Sequence, residues 1–75
     1  MEVKVIFFGV LAEVTGTTFL SFTGIKNMSD LRFRVTDAYP EIVHYNYRIA
    51  VNGQFTENDS ELPEGAEVAF LPPFA

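Results

Sequence analysis

Apolar and polar side chains alternate along the first predicted strand, residues 2–8. One face of this strand is wholly apolar and is formed by Val3, Val5 and Phe7. The other face is half apolar and is formed by Lys4, Ile6 and Phe8. Because successive side chains of a strand point in opposite directions, we expect the first face to enter the core. The second face carries more hydrophobic surface than a solvent-facing side requires.

A second strand is predicted in residues 17–23, after a short helical turn in residues 10–16. This segment is rich in threonine and phenylalanine, which strands favour. Leu20 and Phe22 alternate with Phe19 and Ser21 along it. Because the separation from the first strand is short, the two strands are expected to pair antiparallel.

A helix is predicted to begin at Met28. Asn27 is a suitable N-cap, and Asp30 places a carboxylate in the first turn, where the helix dipole favours it. The apolar positions are three or four residues apart and are Met28, Leu31, Val35 and Ala38. Since proline disfavours helical geometry in the preceding residue, the helix should end before Pro40. Phe33 lies off this stripe, and the pattern does not decide its position.

A hairpin is predicted in the second half of the chain. Residues 47–51 form a strand with Ile49 and Val51 facing the core. Asn52-Gly53 is a strong hairpin signal, because both residues accept positive φ. The hairpin leads into a short return strand, residues 54–56, and turns are expected at 58–60 and 62–65.

The last strand is predicted at residues 67–71 and ends at two prolines, which cannot donate to a ladder. Its inward residues are Val68 and Phe70, and its outward residues are Ala69 and Leu71. The order strand–strand–helix–strand–strand predicts an α+β fold, in which one main helix packs on one face of a mixed sheet of four to five strands. The first and last strands should be parallel neighbours at its centre.

Composition narrows the classes of function. The 75 residues correspond to one small domain. The net charge of −5 disfavours nucleic acid and favours a partner with a basic surface or rim. The apolar runs are too short to span a bilayer, and no secretory signal is evident, so we expect a cytoplasmic protein.

The chain offers little for catalysis or metal binding. It has no cysteine and a single histidine, His44, which we expect to be a solvated loop residue. The acidic residues that are scattered as on a solvated surface are Glu41, Glu57, Asp59, Glu61, Glu64 and Glu67. The basic residues that form no phosphate patch are Lys26, Arg32 and Arg34. Tyr45 and Tyr47 are expected to pack a loop against the sheet. A standalone enzyme is therefore not expected.

Three segments carry a resemblance to a known family. They are VKVIFFG at residues 3–9, VNG at 51–53 and EGAEVAFLPP at 64–73. In this order and spacing the chain resembles the MoaD/ThiS group of ubiquitin-like sulfur carriers, which have a β-grasp fold. Within that group it looks most like the small subunit of molybdopterin synthase.

Three positions depart from the family pattern. The family tail continues past the two prolines to Gly-Gly, whereas Phe74 and Ala75 follow here. Ala12 stands where many members have Arg, and Ala66 stands where Asp is common. Two interpretations of the tail stay open. Either the natural chain continues to Gly-Gly, or it ends at Ala75 and serves as a non-catalytic ubiquitin-like interaction module.

The resemblance implies a carrier with no bound cofactor that becomes modified at its C-terminus. An E1-like (MoeB-like) enzyme would adenylate the terminal glycine, and a sulfur donor would convert it to a thiocarboxylate. The tail would then enter the active site of a MoaE-like large subunit and give sulfur to the pterin precursor. In this chain the tail segment begins with Pro72, Pro73, Phe74 and Ala75. A thiamin-type sulfur carrier is the close alternative.

The resemblance also implies a hydrophobic docking patch on the sheet face away from the helix. It carries over to Phe8, Phe55 and Leu71. Strand alternation independently places Phe8 and Leu71 on that face. The alternative is that these residues fill a satellite core beneath the loops.

Overall fold

The computed structural model of the chain describes residues 1–56 and 62–73, whose strands form one five-stranded sheet. The strands are β1 (Val3–Phe7), β2 (Phe19–Phe22), β3 (Arg48–Val51), β4 (Gln54–Phe55) and β5 (Glu67–Leu71). The helices are α1 (Val10–Thr15), α2 (Met28–Ala38) and a 3₁₀ helix (Pro40–His44).

The strand order is β2-β1-β5-β3-β4. β1 and β5 are parallel, and the other neighbouring pairs are antiparallel. The predicted α+β architecture, with a parallel first and last strand at the centre of a mixed sheet, is therefore confirmed. A parallel pair needs a long crossover connection, and α2 lies within the chain that joins β1 to β5.

The core lies between α2 and one face of the sheet. The buried residues of α2 are Met28, Leu31 and Val35. They pack in one cluster with the inward residues of β1 and β5, which are Val3, Val5, Phe7, Val68 and Phe70. The Phe70 ring is 5.5 Å from the Phe7 ring and 4.9 Å from the Tyr47 ring, centroid to centroid. The inward and outward positions predicted for β1 and β5 are therefore confirmed.

The end of α2 differs from the prediction in one position. Ala38 was expected on the buried stripe but is exposed. The helix ends there, and the Tyr39 N–H makes its closing bond to the Val35 carbonyl at 2.8 Å. The chain then enters the 3₁₀ helix, which the sequence did not predict, and Ile42 of that helix is buried in the core cluster.

The predicted Asn52-Gly53 hairpin connects β3 and β4. Both residues have positive φ, 50° for Asn52 and 85° for Gly53. Asn52 also ties the hairpin to β5, because its N–H bonds to the Glu67 carbonyl at 2.8 Å and its Oδ1 accepts from the Glu67 N–H at 3.0 Å. A turn is present at Glu64 and Gly65. The turn predicted at residues 58–60 lies outside the described part of the chain.

Candidate functional site

The sheet face opposite α2, called the open face below, carries a continuous apolar row. Cross-strand partners define this row, because Ile6 pairs with both Phe19 and Ala69, and Ala50 pairs with both Ala69 and Phe55. From β2 to β4 the members are Phe19, Ile6, Ala69, Ala50 and Phe55. With strands about 4.8 Å apart, the row spans roughly 19 Å.

The two ends of this row are its most exposed members. Phe19 is 51% exposed and Phe55 is 54% exposed. Ile6 and Ala69 are half-buried, and Ala50 is buried. The alanines in the row therefore lie between larger, more exposed apolar side chains.

A second row lies beside the first and contains Phe8, Leu71 and Arg48. Arg48 and Leu71 are cross-strand partners. Phe8 follows β1, and its N–H continues the parallel ladder by bonding to the Phe70 carbonyl at 3.0 Å. Phe8 is 45% exposed, and Leu71 is half-buried.

The structure thus places all three predicted docking residues on one face. Phe8, Phe55 and Leu71 lie on the open face, and none of them belongs to the core cluster. The alternative of a satellite core does not describe Phe8 and Phe55, because about half of each side chain is exposed. An exposed apolar surface of this kind is typical of a protein interaction site.

Within the described strands, three charged residues lie on the open face beside the apolar rows. Lys4 and Glu67 are opposite each other across the β1–β5 pair, so their charges offset one another. Arg48 is exposed, and its guanidinium carbon lies 4.3 Å from the centroid of the Phe55 ring. The described strands of this acidic chain therefore contribute one offset pair and one further positive charge to the open face.

The segment that leaves β5 begins at a close contact with the β1–α1 junction. Gly9 has φ 56° and ψ −133°. A Cβ at this position would stand 3.1 Å from Cγ of Pro72. Pro72 is half-buried and Pro73 is exposed. Phe74 and Ala75, the other predicted tail residues, lie outside the described part of the chain.

The sequence analysis placed Ile6 on this face without naming it as a docking residue, and it missed Phe19 and Arg48. The alternation of β1 and β2 was visible, but it was not combined with the register of the pair. Antiparallel pairing of the two strands would have placed Phe19 beside Ile6. Nothing in the local sequence indicated a role for Arg48, because its contact with Phe55 depends on the register across the hairpin.

Other candidate residues have ordinary surroundings. His44 is exposed at the end of the 3₁₀ helix. Tyr47 packs on Phe70 as expected, whereas Tyr45 is exposed. Phe33, whose position the sequence left undecided, is 66% exposed on α2.

Two further kinds of feature are absent from the described ranges. Residues 1–56 and 62–73 contain no group of three or more His, Cys, Asp or Glu side chains placed to hold a metal ion. In the same ranges, none of the helices has the length and hydrophobicity that crossing a membrane requires.

The strand order, the single main helix and the open apolar face define a small β-grasp domain of the ubiquitin-like class. The model of the ThiS family matches residues 5–75, and the chain belongs to this family. No curated protein sequence matches it.

Solved structures show the same fold over nearly the whole chain. Subunit 1 of a molybdopterin converting factor from Pyrococcus furiosus is 23% identical, with 99% of each chain covered and a TM-score of 0.85. Small archaeal modifier protein 1 from Methanosarcina acetivorans is 26% identical, with 96% of this chain and 92% of that chain covered and a TM-score of 0.82. A complex of subunits 1 and 2 of the molybdopterin-converting factor from Helicobacter pylori contains a chain that is 23% identical, with 100% of this chain and 97% of that chain covered and a TM-score of 0.76.

Proposed function

We propose that this protein is a sulfur carrier and serves as the small subunit of a molybdopterin synthase. In this role an adenylating enzyme activates its C-terminal carboxylate, and a sulfur donor converts it to a thiocarboxylate. The carrier then docks on a large subunit and gives sulfur to the pterin precursor. Alone it is not an enzyme, and it acts in the cytoplasm.

The observation that carries the proposal is the position of the open face beside the last strand. The apolar rows include Ala69 and Leu71 of β5, and the tail begins one residue later at Pro72. A partner that covers this face therefore receives the tail at the edge of the contact. The prolines restrict the tail base, which lowers the entropy lost when the tail enters a channel.

Similarity to known proteins supports the molybdopterin branch of the family. Two of the solved structures, from P. furiosus and H. pylori, are described as subunit 1 of a molybdopterin converting factor. The H. pylori structure is a complex with subunit 2. These likenesses favour a large-subunit partner over the thiamin-type alternative.

The chemical part of the proposal is tested on the protein isolated from its own cells. Intact-mass spectrometry with C-terminal peptide sequencing should show a Gly-Gly terminus. A fraction of the molecules should carry one sulfur in place of one oxygen. A native terminus at Ala75 would exclude the thiocarboxylate carrier and leave an interaction module with the same fold.

The docking part is tested by the substitution Phe8→Asp. A carboxylate in the centre of an apolar contact has to be desolvated without a partner. We therefore expect binding to the large subunit from the same genome to fall by at least about a hundredfold, since interface anchors carry most of the binding energy. Isothermal titration calorimetry measures the affinity, and circular dichroism checks that the variant is folded.

Phe33→Asp is the matched control, because it places the same charge on an exposed phenylalanine of α2, away from the open face. This variant should bind the large subunit like the wild type. Equal loss of binding in both variants would mean that the added negative charge, and not the open face, determines the affinity.

A second candidate function is that of a protein modifier. The 26% identity to small archaeal modifier protein 1 supports it. Both functions use an adenylated C-terminus, but a modifier forms an isopeptide bond with lysine side chains. Immunoblots of cell extracts distinguish the two, because a modifier gives a ladder of larger conjugates and a dedicated carrier gives the free chain.

A further inference from the structure

Arg48 is the residue of the open face that the proposed function leaves unexplained. It lies in the row with Phe8 and Leu71, and its guanidinium carbon lies over the Phe55 ring, 4.3 Å from the ring centroid. A cation–π contact of this kind requires no conventional hydrogen bond from the guanidinium. Its five N–H donors lie in the plane of the group, and no hydrogen bond or ion pair links them to any residue in the ranges 1–56 and 62–73.

Within the described strands, Arg48 is the charged residue of this face that has no opposite charge across a strand pair. Lys4 and Glu67 offset each other at the far side of the apolar row. The chain as a whole has a net charge of −5. A partner that matched only the net charge would be basic, and a basic group placed opposite Arg48 would be repelled. The partner surface must therefore differ in sign at this one position.

We propose that Arg48 is an anchoring residue that binds a carboxylate of the protein partner docked on the open face. The inference rests on the proposed function, since it assumes that the partner covers this face. The occupant is a protein surface with an apolar centre and one Asp or Glu side chain that meets Arg48. A bidentate pair of guanidinium and carboxylate is the geometry that arginine supplies and lysine does not.

The cation–π contact with Phe55 prepares Arg48 for this ion pair. A free arginine loses considerable rotamer freedom when it forms an ion pair, whereas one in such a contact is already restricted. The Phe55 ring also shields one side of the guanidinium from water, so the pair would form at the edge of a hydrophobic contact. Arginine and aromatic residues in such positions are frequent energetic centres of interfaces.

The experiment compares three variants in binding to the large subunit from the same genome. Arg48→Gln removes the charge but keeps hydrogen-bonding atoms, and we expect the affinity to fall about tenfold. Arg48→Lys keeps the charge without the planar fork and should recover only part of that loss. Arg48→Glu should bind more weakly than Arg48→Gln, because it places a like charge opposite the partner carboxylate.

Salt dependence and spectroscopy identify the nature of the contact. Salt screens ion pairs, so the affinity of the wild type should decrease with ionic strength more steeply than that of Arg48→Gln. In nitrogen–proton correlation spectra, the Arg48 Nε–H signal should move and become protected from exchange when the complex forms. An unchanged signal, or equal salt slopes, would overturn the proposal.

The outcomes separate this inference from the proposed function. If Phe8→Asp abolishes binding and Arg48→Gln binds like the wild type, docking on the open face stands and the role of Arg48 is wrong. If neither substitution changes binding, or the wild type does not bind at all, the docking proposal fails and the inference fails with it.

A contact of Arg48 within its own chain is tested separately. Glu57 is close in sequence but lies outside the described part of the chain. Denaturant unfolding of Arg48→Gln, Glu57→Gln and the double variant measures their coupling. Additive, small effects are expected, whereas strong coupling in the isolated chain would assign Arg48 an internal partner and overturn the proposal.

Discussion

At the scale of single residues, Gly9 determines how the chain leaves β1, and it lies close to the first residue after β5. Its φ of 56° and ψ of −133° lie in a region that residues with a Cβ avoid. A Cβ there would also stand 3.1 Å from Cγ of Pro72. One position therefore sets the exit of β1 and leaves room for the first residue after β5.

We predict that Gly9→Ala destabilises the protein by about 1–3 kcal/mol, the usual cost of a residue held in a sparsely populated backbone region. Part of this cost comes from backbone strain, and the remainder comes from displacement of Pro72. Urea unfolding followed by circular dichroism measures the free energy of unfolding.

Gly16→Ala is the control for this prediction. Gly16 also has a positive φ, 76°, but no atom lies within 4 Å of the position its Cβ would take. This substitution should cost about 1 kcal/mol from backbone conformation alone. If the two substitutions have the same effect, the close approach of the new Cβ to Pro72 contributes nothing to the cost of Gly9→Ala.

At the scale of elements, α2 begins with a pair of side-chain hydrogen bonds. Asn27 Oδ1 accepts from the Asp30 N–H at 2.8 Å, and Asp30 Oδ2 accepts from the Lys26 N–H at 2.9 Å. The first turn of a helix has N–H groups without partners in the helix. These bonds satisfy one of them and fix the preceding loop.

We predict that Asn27→Ala lowers the free energy of unfolding by about 1 kcal/mol, because the cap bond is lost. Asn27→Asp should retain most of the stability, since its carboxylate also accepts from the Asp30 N–H. Thermal unfolding of both variants measures the difference. Equal melting temperatures for Asn27→Ala and the wild type would show that the cap bond is dispensable.

The sequence predicted the elements that have strong local signals. The Asn27 cap, the Asn52-Gly53 turn and the alternation of β1 and β5 each act within a few residues, and each is found in the structure. The boundary of α2 was also correct, because proline restricts the residue before it.

Features that depend on distant residues were not predictable in the same way. Ala38 has the right spacing for the buried stripe, but the chain turns away after Tyr39 and Ile42 occupies the core instead. The 3₁₀ helix that makes this possible is held by contacts with the rest of the molecule. Similarly, the apolar row from Phe19 to Phe55 exists only after five strands have taken their register.

At the scale of the whole molecule, stability depends on a small core. A domain of this size is expected to be stable by only about 4–11 kcal/mol, at 0.05–0.15 kcal/mol per residue. Phe70 is fully buried at the centre of β5 and contacts the rings of Phe7 and Tyr47. A large share of the total stability therefore depends on one side chain.

We predict that Phe70→Ala costs about 3–5 kcal/mol through lost burial and the cavity that remains. Phe33→Ala makes the same chemical change on an exposed side chain of α2 and should change stability by less than about 0.5 kcal/mol. Guanidinium unfolding of the two variants provides the comparison. Similar losses in both would contradict the described core.

The parallel pairing of β1 with β5 has a consequence for biosynthesis. A ribosome releases β1 early, yet the parallel neighbour that completes its ladder is the last of the described strands to appear. Ala69 and Leu71 of that strand are also part of the open face, and the tail follows them directly. A chain that stops short of β5 therefore has neither the native sheet nor the complete open face.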